Sequence, residues 1–458
     1  MSALEVWMNG RHVGVWRQIR GERDQFQYDR EWLADPQSRA LSLSLPMTAD
    51  AQITSPAVRH YFDNLLPDDQ RIRDRLRVRF GTRSADTFDL LEAIGRDCVG
   101  AVQLLPEDQV PENWNRIISV SMTSKEVEAH LRSVPTARAP LLGAQQDEDD
   151  FRISIAGAQE KTALLRIGST WHRPRGATPT THILKLPLGI VGGGLELDLS
   201  DSVDNEWLCA ALLTELGLPT AHTEIGRFGS QRVLIVQRFD RRWLDIDGGN
   251  PNSTRFKPLP KSWVARLPQE DFCQATGQPS ALKYEKDGGP GMETILGVLA
   301  RSGQSQSDQA RFALSQLAFW LLAATDGHAK NFSIFHLRGG AYSLTPLYDV
   351  LSAWPVIGPR ARQLSLQKVR LAMAMRSGRR AHYKLDEIQP RHFKALTEQL
   401  GDDQLWPAML EFVEAVPGAI ARVEKQLPQD LAEPVWTSIT VGLSRQTKVF
   451  LDAAAALA

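Results

Sequence analysis

Between Leu4 and Trp16 the chain alternates apolar and polar residues in two short arms, LEVWM and HVGVW, with Asn9-Gly10 between them. An Asn-Gly pair at that position predicts a tight hairpin, because both turn residues must take positive φ. Alternation and frequent turns continue to residue 45, so a small sheet opens the chain. The period then changes. SPAVRHYFDNLLPDDQRIRDRLRVRF, residues 55–80, reads as helical, with Ser55 and Pro56 as its start signal. Arginines at 71, 73, 75, 77 and 79 lie at alternate positions, which a helix spreads around its circumference, so a solvated helix is expected ahead of a phosphate-binding stripe. GRDCVGAVQLLPED supplies a short buried strand, and PENWNR marks a boundary. Residues 131–150 lose periodicity and end in an acidic cluster, the pattern of a linker.

Four apolar runs come next: FRISIAG, KTALLRIG, THILKLP and RVLIVQRFD, with a helix predicted near 201–216. They predict a second, mostly antiparallel sheet. Stretches 188–201 and 245–263 are turn-rich and read as loops. From about residue 269 the pattern is almost all helical, with helices expected near 292–302, 307–325, 391–400, 405–426 and 435–457. No internal repeat is visible. The resulting division is 1–110, a β-rich subdomain; 111–245, a sheet region; and 246–458, an all-helical region. The fold class is α+β.

Composition narrows the picture. At 458 residues, 42% of them apolar, the chain is large enough for two or three packed units. A net charge of −1 gives no overall pull toward nucleic acid or anionic membrane, so any DNA contact needs a local patch or a partner. The compact basic patch is MRSGRRAHYK, residues 375–384, which reads equally as a surface loop. Cys98, Cys209 and Cys273 lie too far apart for a disulfide framework or a zinc site, and no apolar run is long enough to span a bilayer. A cytoplasmic protein with no membrane partner is expected.

Candidate chemistry gathers where the apolar run 314–324 ends, in ATDGHAKNFS. Asp326 and Asn331 stand five positions apart, and Asp349 comes later in PLYDV. Carboxylate, carboxamide, carboxylate is a hard-oxygen set suited to Mg²⁺, and one Asp followed by a metal-binding Asn and Asp is the equipment of phosphoryl transfer. Each residue alone also reads as a cap, a turn residue or an ion-pair partner. Lys185 shares a strand face with Ile183 while His182, Leu184 and Leu186 point the other way. An ammonium there costs free energy unless it finds anions, which ATP phosphates would supply with Glu206 as a candidate to brace it, or unless the lysine lies on an edge strand and reaches solvent. Ala156, Gly157 and Ala158 let backbone N–H groups approach a phosphate; with one glycine, GAQEKT is not a P-loop. Gln237 and Phe239 are candidates to hold adenine and Asp240 to reach the ribose.

FRISIAGAQEKTAL, TTHILKLP, SVDNEW, ATDGHAKNFS and PLYDVLSAWP, in this order and joined by VWMNGRHVG, LSLSLP, FDNLLPD and IGRDCVGAV, resemble the HipA family of bacterial serine/threonine-protein kinases, toxins of toxin-antitoxin pairs. The resemblance implies a two-lobed, protein-kinase-like fold with an added N-terminal subdomain, and ATP and Mg²⁺ as cofactors. It implies Asp326 as catalytic base, Asn331 and Asp349 as metal ligands and Lys185 as phosphate-binding lysine. Ala156, Gly157, Ala158, Gln159, Glu160 and Lys161 would cover the phosphates, with His328 and Lys330 beside the nucleotide; His328 either contacts the acceptor or fixes the loop. Ser154 matches the family's self-phosphorylation site. Implied partners are a protein substrate, a HipB-like DNA-binding antitoxin and, mainly through it, operator DNA. A catalytically silent co-repressor and a kinase acting on a small molecule are the competing readings.

Overall fold

The computed structural model describes residues 2–19, 23–135, 159–191, 196–246, 251, 256–360 and 362–457. The chain divides into two interleaved units. One comprises Met1–Leu186, Gly226–Ala281 and Ile334–Tyr342; the other comprises Pro187–Ile225, Leu282–Ser333 and Ser343–Ala458.

In the first unit, the opening hairpin forms as its sequence predicts, with Asn9 at φ 47° and Gly10 at φ 77°. Gly10 has a second reason to lack a side chain, since a Cβ there would fall 2.2 Å from the Trp114 indole. Strands Ser2–Met8, Arg11–Ile19, Arg23–Tyr28, Gln52–Thr54 and Val102–Pro106 build an antiparallel five-stranded sheet with Gln52–Thr54 and Val102–Pro106 at its edges. Its buried face presents Leu4, Val6, Trp16 and Phe26, with no exposure at all, to the helices Pro56–Asp63 and Thr87–Ile94. Trp16 stacks on Phe62 at 4.2 Å. Each such aromatic contributes about 1.5–3 kcal/mol by burial. The arginine-rich helix Gln70–Phe80 spreads its charges: Arg71 pairs with Asp69, Arg73 with Asp63 and Arg75 with Glu160.

The second sheet of this unit has six strands, ordered Thr223–Phe228, Gln231–Gln237, His182–Lys185, Lys161–Ile167, Thr170–Pro174 and Ser119–Met122. Leu164, Leu184, Val233 and Ile235 form its apolar face and pack with Val127 and Leu131 of the helix Ser124–Ser133. That helix, begun by a Thr123/Glu126 capping box, occupies the first residues of the expected linker; residues 136–150 and FRISIAG lie outside the described residues. PENWNR is a packing point as well as a connection, because Trp114 meets Trp263 edge-on at 5.1 Å.

A buried ionic cluster links the two sheet regions. Asp97 Oδ1 accepts from Arg241 Nη2 at 2.9 Å and Arg266 Nε at 3.2 Å, and Oδ2 accepts from Thr180 Oγ1 at 2.7 Å. Asp240 accepts from Arg238 Nε at 3.0 Å and from the Gly100 N–H at 2.7 Å. Carbonyls of Cys98, Gly100 and Ala177 take further guanidinium N–H groups. None of these five charged side chains belongs to a residue more than 9% exposed. The division at 110/111 drawn from the sequence therefore separates segments that pack as one.

The second unit is mainly helical. Met292–Leu299, Ser305–Leu322, Pro390–Leu400 and Glu433–Ala454 match the expected helices; the segment expected at 405–426 is two helices, Leu405–Glu414 and Val416–Glu424, with Pro417 at the start of the second. Trp320, Phe393 and Phe450 form its aromatic centre, and the Trp320 indole N–H is bonded to the Leu385 carbonyl at 3.0 Å. Two additions were not visible in the pattern. The stretch 188–201, expected as a loop, contains paired strands Gly189–Val191 and Leu197–Leu199, and the basic patch forms a hairpin of Arg370–Ser377 with Arg380–Lys384. The C-terminal region is thus helical with inserted strands, not all-helical.

Burial opposes the charge on Asp97, but Arg241, Arg266 and Arg238 overcome that cost and hold its carboxyl far below the ordinary carboxylate range. A folded-state value below the unfolded one stabilises fully above about pH 4, and that contribution is lost as pH falls toward the folded value. Asp97→Ala, which leaves three buried guanidiniums facing one carboxylate, is expected to cost about 3–5 kcal/mol, measured by urea denaturation at neutral pH, and Asp97→Asn to flatten the loss of stability below pH 4.

Candidate active site

Helix Ser305–Leu322 is buried along most of its length and ends because Ala323 turns left-handed at φ 49°, allowing the Ala324 N–H to reach the Phe319 carbonyl at 2.8 Å. A left-handed alanine costs about 1–2 kcal/mol. Its carbonyl accepts the Ala353 N–H at 3.0 Å, tying the PLYDVLSAW segment to the helix end. Ser352 completes the tie: its Oγ donates to the Leu322 carbonyl at 2.6 Å, and Asn205 bonds both its N–H and its carbonyl at 2.8 Å. Gly327 is required next, since a Cβ would lie 2.4 Å from the Phe319 ring.

From this turn the polar residues emerge in fixed places. Asp326 is exposed, with 57% of its side chain accessible, whereas His328, Lys330 and Asn331 are buried. Asn331 Nδ2 donates to the Asp326 carbonyl at 2.6 Å and its N–H to the His328 carbonyl at 2.9 Å. Its amide nitrogen is thus committed to the loop, and Oδ1 is the atom left for a cation. Asp326 Oδ1 accepts from the Tyr284 hydroxyl at 2.5 Å, and His328 Nε2 lies 3.8 Å from the same oxygen. The Tyr348 hydroxyl reaches the Lys330 carbonyl at 2.9 Å, and the next residue, Asp349, holds a left-handed backbone at φ 57°. Non-glycine residues in that region cluster at functional sites. Asp326, His328 and Asn331 therefore come together, with Asp349 next to a residue bonded to their loop. An Asn oxygen and one carboxylate suit Mg²⁺, which takes few protein ligands and completes its shell with water and phosphate oxygens. Among the described residues no cluster of three or more His, Cys, Asp or Glu forms a metal cage.

The candidates in the other unit occupy one sheet. Lys185 is 3% exposed and stands directly opposite Lys161 across the antiparallel pair, on the face away from Leu164 and Leu184. Like charges facing each other destabilise a sheet unless anions sit with them. Gln159 Nε2 donates to the Leu186 carbonyl at 2.6 Å, and Glu160 pairs with Arg75. Gln237 and Phe239 are half-buried and alternate with buried Arg238 and Asp240; Phe239 meets Phe335 edge-on at 5.7 Å. The ribose role expected of Asp240 does not fit, because its carboxylate is consumed by Arg238, Arg241 and Gly100 in the buried cluster. Ser154, Ala156, Gly157 and Ala158 lie outside the described residues. Glu206 is 3% exposed on the helix Ser202–Glu215, beside the Asn205 that holds Ser352.

Tyr284 is the residue that pattern reading missed. It lies in KYEKDGGPGM, 283–292, where Gly288 takes φ 98° and a Cβ on Gly289 would sit 1.8 Å from the Leu282 carbonyl. Three glycines and a proline within four positions signal a turn of defined shape. The partner of that turn, 42 residues along the chain, is not a local property.

One known structure that this fold matches is a chain of the Shewanella oneidensis complex of HipA, HipB and operator DNA, at TM-score 0.75, covering 98% of this chain and 97% of that one at 24% identity. The fold is the kinase-like α+β fold of HipA. Residues 4–105 match the family model of the HipA N-terminal domain and residues 153–427 that of the HipA-like C-terminal domain. Putative kinase Y4mE of Sinorhizobium fredii is 33% identical over 431 residues, 92% of either chain, and the serine/threonine-protein kinase toxin HipA of Shewanella oneidensis is 28% identical over 341 residues, 71% of this chain and 69% of that protein. The chain belongs to the HipA family.

Gly327→Ala forces a methyl group into the Phe319 ring, so it is expected to destabilise the helical unit by about 1–3 kcal/mol and to displace Asp326. Thermal unfolding monitored by near-ultraviolet circular dichroism checks the first effect.

Proposed function

We propose that the chain is an ATP- and Mg²⁺-dependent serine/threonine-protein kinase acting in the cytoplasm as the toxin of a toxin-antitoxin pair. The observation that carries this reading is Asp326: a single exposed carboxylate at the edge of a buried, well-anchored loop, with an Asn side-chain oxygen five residues on. As proposed, Asp326 takes the proton of a serine or threonine hydroxyl as its oxygen attacks the γ-phosphorus and ADP leaves. Asn331 and Asp349 would hold magnesium, which supplies charge neutralisation at the phosphates. Lys185 and Lys161, opposed on one sheet face, are assigned to the phosphates, with Gln159, Glu160 and the stretch from Ala156 to Ala158 covering them, and Gln237 and Phe239 to adenine.

Self-phosphorylation at Ser154 is inferred from the family position and has a physical consequence. A phosphoserine adds nearly two negative charges beside a loop meant to hold phosphates, so it repels the nucleotide and inactivates the enzyme. The relative solved with HipB and operator DNA supports a HipB-like antitoxin as partner, and a near-neutral chain leaves most DNA contact to it. The exposed turn of the basic hairpin, Arg379 and Arg380, is the surface we assign to neighbouring DNA phosphates.

Labelled ATP with Mg²⁺ is expected to phosphorylate Ser154 and a protein in a cell extract, both mapped by phosphopeptide mass spectrometry. Asp326→Ala should lose at least about a hundredfold of this incorporation while keeping the rise in melting temperature that Mg²⁺-ATP produces. An unlabelled parent chain favours a silent co-repressor; joint loss of transfer and thermal shift in the variant makes Asp326 structural.

A further inference from the structure

An exposed carboxylate is a poor base unless something aims it. Side chains at the surface exchange among rotamers, whereas a general base must sit within about 2.6–3.2 Å of the proton it removes. More than half of the Asp326 side chain is accessible; Asn331 and the His328 N–H bond its backbone carbonyl, and within the loop the carboxylate is approached by His328 Nε2 at 3.8 Å, beyond hydrogen-bond distance. Among the described residues, the hydrogen bond to the carboxylate comes from the Tyr284 hydroxyl, donating to Oδ1 at 2.5 Å. A hydrogen bond to an ionised acceptor is short and stronger than a neutral one. Because Asp326 is solvated, the fold does not need this bond to satisfy a buried charge; its effect is to fix one oxygen and leave Oδ2 for the incoming hydroxyl.

Tyr284 is held on both sides. Its ring meets His328 edge-on at 4.9 Å, and the preceding residue, Lys283, accepts the Ala329 N–H at 3.1 Å. The next residue, Glu285, points to a different element: Oε2 accepts the Ala374 N–H at 2.7 Å, and Oε1 accepts from Arg376 Nη2 at 2.6 Å. Both partners lie on strand Arg370–Ser377 of the basic hairpin. Gly291 makes the space, since a Cβ there would come within 2.3 Å of the Glu285 carboxyl carbon. Two adjacent residues therefore clamp the hairpin and the catalytic loop to one short turn, Glu285–Asp287.

We propose that Tyr284 is a positioning residue for the Asp326 carboxylate and that the hairpin of residues 370–384 sets it there through Glu285. The inference rests on the kinase reading. In the step it serves, the acceptor O–H proton passes to Asp326 Oδ2, the acceptor oxygen bonds to the γ-phosphorus, and the bond from phosphorus to the bridging oxygen breaks, ADP leaving with its electron pair.

The test uses the full chain with labelled ATP and Mg²⁺, reading the rate of incorporation into the chain itself across ATP concentrations. Tyr284→Phe keeps the ring against His328 and removes the donor. Its maximal rate should fall about tenfold, with the half-saturating ATP concentration and the ATP-induced thermal shift unchanged. Arg376→Ala should lower the maximal rate by a smaller factor, and the double variant should be no slower than Tyr284→Phe alone, because both act through one contact. A Tyr284→Phe rate within about twofold of the parent, or a parallel loss of ATP affinity, overturns the positioning role; multiplying losses in the double variant overturn the link through Glu285. A parent chain that labels neither itself nor an extract protein sinks the kinase reading and this inference with it, whereas an active parent beside an equally active Tyr284→Phe sinks this inference alone.

Discussion

Burying polar backbone is tolerable only when its N–H and carbonyl groups find partners, and that constraint governs the loop after helix Ser305–Leu322. Residues 327–334 are all buried although they contain a histidine, a lysine, an asparagine and a serine. Lys283, Tyr348, Ser352 and Asn205 are brought to this place to satisfy the loop and the segment tied to it, directly or one bond removed. Rigidity comes from the same bonds. A loop anchored at so many points cannot drift, and Asp326, its solvated member, projects from a fixed base.

The sheet unit solves a related problem with charge. Its six-stranded sheet gives one face to hydrocarbon, Leu164, Leu184 and Ile235, and the other to two ammonium groups opposite each other. Beside it, three guanidiniums and two carboxylates are withdrawn from water in a cluster whose remaining donors end on carbonyls. Such clusters lend specificity more reliably than stability. Here the specificity is one of attachment: Asp97, Cys98 and Gly100 belong to the opening β-rich segment, and Thr180, Arg238, Asp240, Arg241 and Arg266 to later stretches of the chain.

Much of this was readable from local pattern. Asn9-Gly10 specified its turn, the alternation around Lys185 specified which residues share its face, and the apolar run up to Ala324 announced both a buried helix and its polar end. Asp326, His328 and Asn331 stood out because so many hydrogen-bonding side chains in six positions have no use inside a helix. The parts that stayed hidden depend on partners far along the chain. Asp240 looked like a charged residue at a strand end, and its withdrawal into the arginine cluster rests on Asp97 and Gly100, 140 residues or more away. The strands at Gly189–Val191 and Leu197–Leu199 are three residues each, too short for alternation to register. Tyr284 carries no local mark of its partner; only the crowded glycines after it hint that its turn has a shape to keep.

Interleaving has a consequence for biosynthesis. The sheet unit takes its last segment from Ile334–Tyr342, and the helical unit draws on segments from Pro187 to the long closing helix. Neither unit is complete in a nascent chain that has not reached residue 342, although the opening five-stranded sheet and its core lie wholly within residues 2–106. The loop that carries Asp326 gains its anchors at Tyr348 and Ser352 later still. A nascent chain that has passed Asn331 but not Ser352 therefore carries Asp326 without all the bonds that fix its loop.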